Sequence, residues 1–191
     1  MIDYIGDISK NDAKVLAQLA ANCRDILEFG VGASTQVLSH YRHLGGRMIS
    51  VETDPQWVEK TRRNLDRVKV PHPQFVFYTD LDNHLNHGAK FDLIFDDGVD
   101  GLRGEFSKRT WPFLNVGGIF AFHDTRRTGD VLNVCALLAA VSAEVSVVEF
   151  NLDHSNITTI VKKQAEHYED WNVLEQREPW KQGWGDPPPG V

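Results

Sequence analysis

Five short apolar runs in this sequence stop on acidic or imidazole side chains: Glu28, Glu52, Asp80, Asp96 with Asp97, and His123 with Asp124. A carboxylate can accept hydrogen bonds from paired hydroxyls, hold a hard cation or take up a proton. Histidine can do the last near neutral pH. A lone acid after a strand is usually a turn former or a cap. Five at equivalent strand ends are hard to account for by capping alone. If the runs are parallel strands, their ends share one edge, and at that edge open α/β sheets bind ligands.

The first run sits in residues 25–35, D-I-L-E-F-G-V-G-A-S-T. Ile26, Leu27 and Phe29 suit a strand buried on both faces. Gly30 and Gly32 allow positive φ and let a ligand approach bare backbone. Ser34 and Thr35 can cap a following helix, whose free N–H groups face the same point. Glu52 follows about 20 residues after the glycines, the spacing of a ribose-binding carboxylate.

The elements that position these residues alternate along the chain. Residues 10–22 read as an amphipathic helix capped by Ser9, with Asp12 in its first turn. After the strand and a helix over 33–41, residues 48–51 form a second strand ending at Glu52. Asp54-Pro55 opens the next helix. Strands over 75–78, 91–95 and 119–122 follow, with a helix around Leu102 and Phe106 before the last of them. Residues 131–141 are nearly all apolar, which predicts a well-buried helix. Residues 145–150 and 157–161 are too close for a crossover helix and should pair antiparallel. The expected fold is α/β: a doubly wound, mostly parallel seven-stranded sheet with a C-terminal antiparallel hairpin. Residues 1–163 form the domain. Residues 164–191 are read as a C-terminal helix and a Pro/Gly/Trp-rich tail, not an independent domain.

The chain's 191 residues are enough to bury a core without staples. Its formal charge of −7 argues against a nucleic-acid partner. Cys23 and Cys135 read as core thiols rather than a disulfide. No signal peptide or membrane span is evident, so a cytoplasmic setting is expected.

The ordered set E-F-G-V-G-A-S-T, S-V-E-T-D-P, Y-T-D, F-D-L-I-F-D-D-G and G-G-I-F-A-F-H-D-T resembles the successive motifs of the class I S-adenosylmethionine-dependent methyltransferases. The likeness covers residues 10–163, and within the family it is greatest to small-molecule O-methyltransferases. It implies S-adenosylmethionine as cofactor and methyl transfer to a small-molecule acceptor, at a hydroxyl oxygen. By this resemblance Glu28, Gly30 and Gly32 line the methionine end of the cofactor. Glu52 binds its ribose, and Asp80 with Leu81 contacts adenine. Asp97 faces both cofactor and acceptor. In metal-dependent relatives this aspartate and an acidic pair after the fifth strand hold a divalent cation. Here the pair is His123-Asp124, so Asp97 and Asp124 are the candidate ligands for Mg2+, and the histidine departs from the pattern.

An acceptor alcohol must lose a proton, either to a positioned base or through a metal that lowers its pKa. His123 is the natural base, with Asp97 and Asp124 as alternatives. Arg103, Arg126 and Arg127 could meet an anionic acceptor, although a solvated surface role is favoured for each. A nicotinamide-dependent oxidoreductase shares the strand–turn–helix, but Thr35 stands where its third glycine would be. A nucleic-acid methyltransferase is disfavoured by the acidic charge and by D-D-G-V at the fourth strand, and a non-catalytic module that keeps the cofactor pocket is the third rival. A homo-oligomer stays open.

Overall fold

The computed structural model describes residues 3–85 and 88–163. The expected C-terminal helix and tail, with Trp171, Trp180 and Trp184, lie outside the described residues. Seven strands form one sheet: β1 (Asp25–Phe29), β2 (Arg47–Glu52), β3 (Gln74–Phe77), β4 (Phe91–Asp96), β5 (Leu114–Phe122), β6 (Val145–Glu149) and β7 (Thr158–Lys162). Their order is β3-β2-β1-β4-β5-β7-β6. The first five are mutually parallel, and β7 is antiparallel to both β5 and β6. The doubly wound sheet and its antiparallel pair are therefore as expected.

Among the described residues six helices flank the sheet: α1 (Lys10–Ala21), α2 (Ala33–Tyr41), α3 (Pro55–Val68), the single turn α4 (Leu81–His84), α5 (Asp100–Thr110) and α6 (Thr128–Val141). Local chemistry sets their starts. Ser9 Oγ accepts from Asp12 N at α1, and Asp54 Oδ1 accepts from Gln56 N at α3. Two apolar layers sandwich the sheet. One joins Leu27, Phe29, Ile94, Phe106 and Phe120; the other joins Leu16, Ile26, Leu38, Leu93 and Phe95. Alternate residues of β1 and β4 thus feed opposite faces, as a pleated central strand requires.

Two expectations fail at the β6 end. α6 is not well buried: among its apolar residues only Val134 and Leu137 are buried, and Leu132 is 62 % exposed. Among the described residues its outer face is left open. Cys135 is correspondingly exposed, whereas Cys23 is buried. Among the described residues no helix is long and apolar enough to cross a membrane.

Candidate functional site

The parallel register brings the ends of β1, β2 and β4 side by side. Phe29 pairs with Val51 and with Asp96, so Gly30, Glu52 and Asp97 emerge at one edge. A cavity of about 720 Å³ opens there. Its walls are the glycine turn, Glu52–Asp54, residues 97–99, the α3 side chains Trp57 and Thr61, and the N-terminal residues 5–8.

Gly30 has φ +84, and a Cβ there would lie 2.2 Å from Asp97 O, so only glycine fits where β1 turns against β4. A Cβ on Gly32 would meet nothing within 4 Å. That wall of the cavity is bare backbone, which suits a ligand lying flat against it. Thr35 is buried, and its Oγ1 accepts from Gly32 N at 2.8 Å, bracing the turn from below.

The Glu52 carboxylate is fixed by backbone donors. Oε1 accepts from Thr53 N and Asp54 N, and Oε2 from Val31 N at 3.0 Å. Oε2 has that single partner among the described atoms, so a lone pair is left for a hydroxyl. Glu28, one residue behind the glycine turn, is fully buried and lies outside the cavity lining. It accepts from Ser34 Oγ and Ser50 Oγ, both at 2.7 Å. Burial pushes its carboxyl up to about 7 against those two hydrogen bonds. Ser34 does line the cavity, so Glu28 reaches it through that hydroxyl. Asp80 is exposed and Leu81 buried in the core; both lie past the end of β3, outside the lining.

Beside the cavity, Asp97, His123 and Asp124 present ligand atoms within 4.8 Å of one another. His123 Nδ1 is 3.0 Å from Asp97 Oδ1 and 3.6 Å from Asp124 Oδ1. Its Nε2 faces Asp12 Oδ2 at 3.4 Å. Burial pulls the imidazole pKa down, but the hydrogen bond and charge of Asp97, then Asp124 and Asp12, outweigh it and raise it to about 9. At neutral pH His123 is an imidazolium held among three carboxylates.

Beneath this cluster lies Arg103 of α5, 1 % exposed. It is neither a surface group nor open to an acceptor. Its guanidinium donates to Asp96 Oδ1, to Asp130 Oδ1, to Asp96 O at 2.6 Å and to His123 O at 3.0 Å. One planar fork thereby ties the ends of β4 and β5 to the first turn of α6. Asp96 is a brace in this network, and burial pushes its carboxyl up to about 7 although Arg103 pulls the other way. Arg127 is paired with Asp124, Asp130 and Asp100, and Arg126 donates to His154 O.

Sequence reasoning named Arg103 and Asp12 but not the contacts they make here, and it missed the N-terminal wall. Trp57 is half-exposed at the cavity, with Lys60 Nζ 3.8 Å from its ring centroid.

No protein-family model and no curated protein matches the chain. Solved structures do resemble it. An O-methyltransferase from Bacillus cereus, crystallised with SAH, is 20% identical across 82% of this chain and 83% of its own, with a TM-score of 0.66. The O-methyltransferase TomG of Streptomyces achromogenes, involved in tomaymycin synthesis and solved with SAM, is 18% identical across 83% and 82%, at 0.68. A methyltransferase-like protein from Silicibacter pomeroyi is 16% identical across 92% and 97%, at 0.60. Strand order, glycine turn and structural likeness agree: the chain has the fold of the class I S-adenosylmethionine-dependent O-methyltransferases.

Proposed function

We infer that the chain is an S-adenosylmethionine-dependent methyltransferase acting on a hydroxyl oxygen of a small-molecule acceptor. The observation that carries this is the cavity in which bare glycine backbone, a backbone-fixed Glu52 and Asp97 converge. When bound, the cofactor supplies a methyl group already activated on a sulfonium. Glu52 receives the ribose hydroxyls, and Gly30 and Gly32 leave room along the backbone. Glu28 acts on the methionine end through Ser34. Asp80, exposed on the adjoining strand end, is assigned to adenine, whereas Leu81 packs in the core and is given no contact with the cofactor.

Asp97 lies between the cofactor cavity and the His123–Asp124 pair and orients the acceptor. His123, as an imidazolium, first acts as a donor. It can take the acceptor's proton only after its own proton has passed to a neighbouring carboxylate; Asp124, half-buried beside it, is the alternative acceptor. Asp97 and Asp124 are also the residues that would hold a divalent cation, which would lower the acceptor's pKa. The ion pairing of His123 favours one second reading, a cofactor-binding module without turnover.

Calorimetric titration with S-adenosylhomocysteine tests the proposal. Wild type should bind in the micromolar range, and Glu52→Ala should weaken binding about tenfold or more, as expected for loss of a charged hydrogen-bonding partner. Absence of binding to wild type would sink it. Binding without methylation of any compound in a hydroxyl and catechol panel, with and without Mg2+, would favour the module.

A further inference from the structure

α6 is a surface helix without a polar outer face. Its sequence carries no charged residue between Asp130 and Glu144. Leu132 is well exposed, as are Cys135, Ala139 and Ala140 further along. A helix that is apolar all round is ordinarily covered all round, and an exposed apolar stretch marks an interaction surface.

The chain itself passes the end of this helix. Lys163 N donates to Glu144 O at 2.9 Å, and Lys162 Nζ is 3.5 Å from Glu144 Oε2. Glu144 closes the turn that directly follows α6. The described chain therefore ends, at Lys163, beside the turn that follows α6. Residues 164–191 contain Tyr168, Trp171, Leu174, Trp180 and Trp184, a concentration of large apolar side chains. The 14 residues of α6 span about 21 Å, and fewer than ten extended residues cover that at ~3.3 Å each. Tethering also gives such a segment an effective concentration on the order of millimolar at this surface.

We propose that residues 164–191 dock on the exposed face of α6, with their tryptophans against Leu132, Cys135 and Ala139. The inference stands independently of the methyl-transfer reading.

The two cysteines of the full-length chain supply the test. Cys23 is buried, and burial, with the Asp92 charge adding, pushes its thiol up to about 12, so it stays silent to Ellman's reagent. Cys135 reports on the face. In wild type it should react about tenfold or more slowly than in a Trp171→Ser/Trp180→Ser/Trp184→Ser variant, both monomeric by light scattering. Leu132→Asp, on the exposed face with the segment intact, should free Cys135 likewise and shift tryptophan emission to the red. Equal Cys135 rates in wild type and both variants overturn the proposal. So does protection that accompanies a dimeric mass and vanishes on dilution, which would assign the face to a second copy of the chain.

Discussion

Glu28 is a fully buried carboxyl, and the partners that lower its pKa are neutral hydroxyls, those of Ser50, Ser34 and Thr35. Such bonds do not offset the loss of hydration, so the proton is held more tightly in the folded chain than in the unfolded one. A raised carboxyl favours the folded state in acid. Its contribution is full below about 4.5 and is lost as pH rises through about 7. In thermal melts of the apo protein, the fall in Tm between about pH 5 and pH 8 should be smaller for Glu28→Gln than for wild type. An equal fall would mean the group is ionised throughout. The acid at this strand end was legible in the sequence, because an apolar run followed by glycine fixes the end of a buried strand. Its isolation was not legible: the two serines that enclose it come from β2 and α2, and only the folded register brings them together.

Among elements, the ends of β4 and β5 carry the groups assigned to chemistry, and neither end is held by the sheet alone. Arg103 supplies the missing link by satisfying the carbonyls of Asp96 and His123 with one guanidinium nitrogen. Charged residues are almost never fully buried unless paired, so a charge in a helical pattern reads as solvent-facing. That reading fails here because four acceptors from three other elements converge on one site, and no periodicity records such convergence. Removing one partner of a buried ion pair costs about 3–5 kcal/mol, since the remaining charge stays uncompensated. Arg103→Met should therefore lower the urea-unfolding free energy by about that amount. Arg103→Lys should recover only part of it, because an ammonium cannot serve the same set of acceptors in one plane. A loss under about 1 kcal/mol for Arg103→Met would show that the network is not what fixes the two strand ends. Asp12 is the parallel case: its place in the first turn of α1 was readable, but its reach to Asn156 N at 2.7 Å and to His123 was not.

At the scale of the whole molecule, the cavity is completed by the start of the described chain. Residues 5–8 form one wall, and the strap is held at Ile5 by a single side chain. Gln36 of α2 is fully buried; its Oε1 accepts from Ile5 N at 2.9 Å and its Nε2 donates to Ile5 O at 2.8 Å. The same Nε2 is 3.2 Å from Gly32 O, so the clamp also touches the glycine turn. Gly6 beside it adopts φ +137, and a Cβ there would come within 3.1 Å of Ala33 Cβ, which keeps the strap close against α2. A side chain that bonds both strap and turn couples them, and such coupling is reciprocal. A ligand that needs the wall ordered should protect the Ile5 amide from hydrogen exchange. Loosening the wall should weaken the ligand in turn. Gln36→Ala removes two strap hydrogen bonds worth about 1 kcal/mol each, so S-adenosylhomocysteine affinity should fall by about tenfold. Faster exchange at residues 5–8 with unchanged affinity would show that the strap lies over the cavity without shaping it. Unchanged exchange would show that the Gly6–Ala33 packing holds the strap without the clamp.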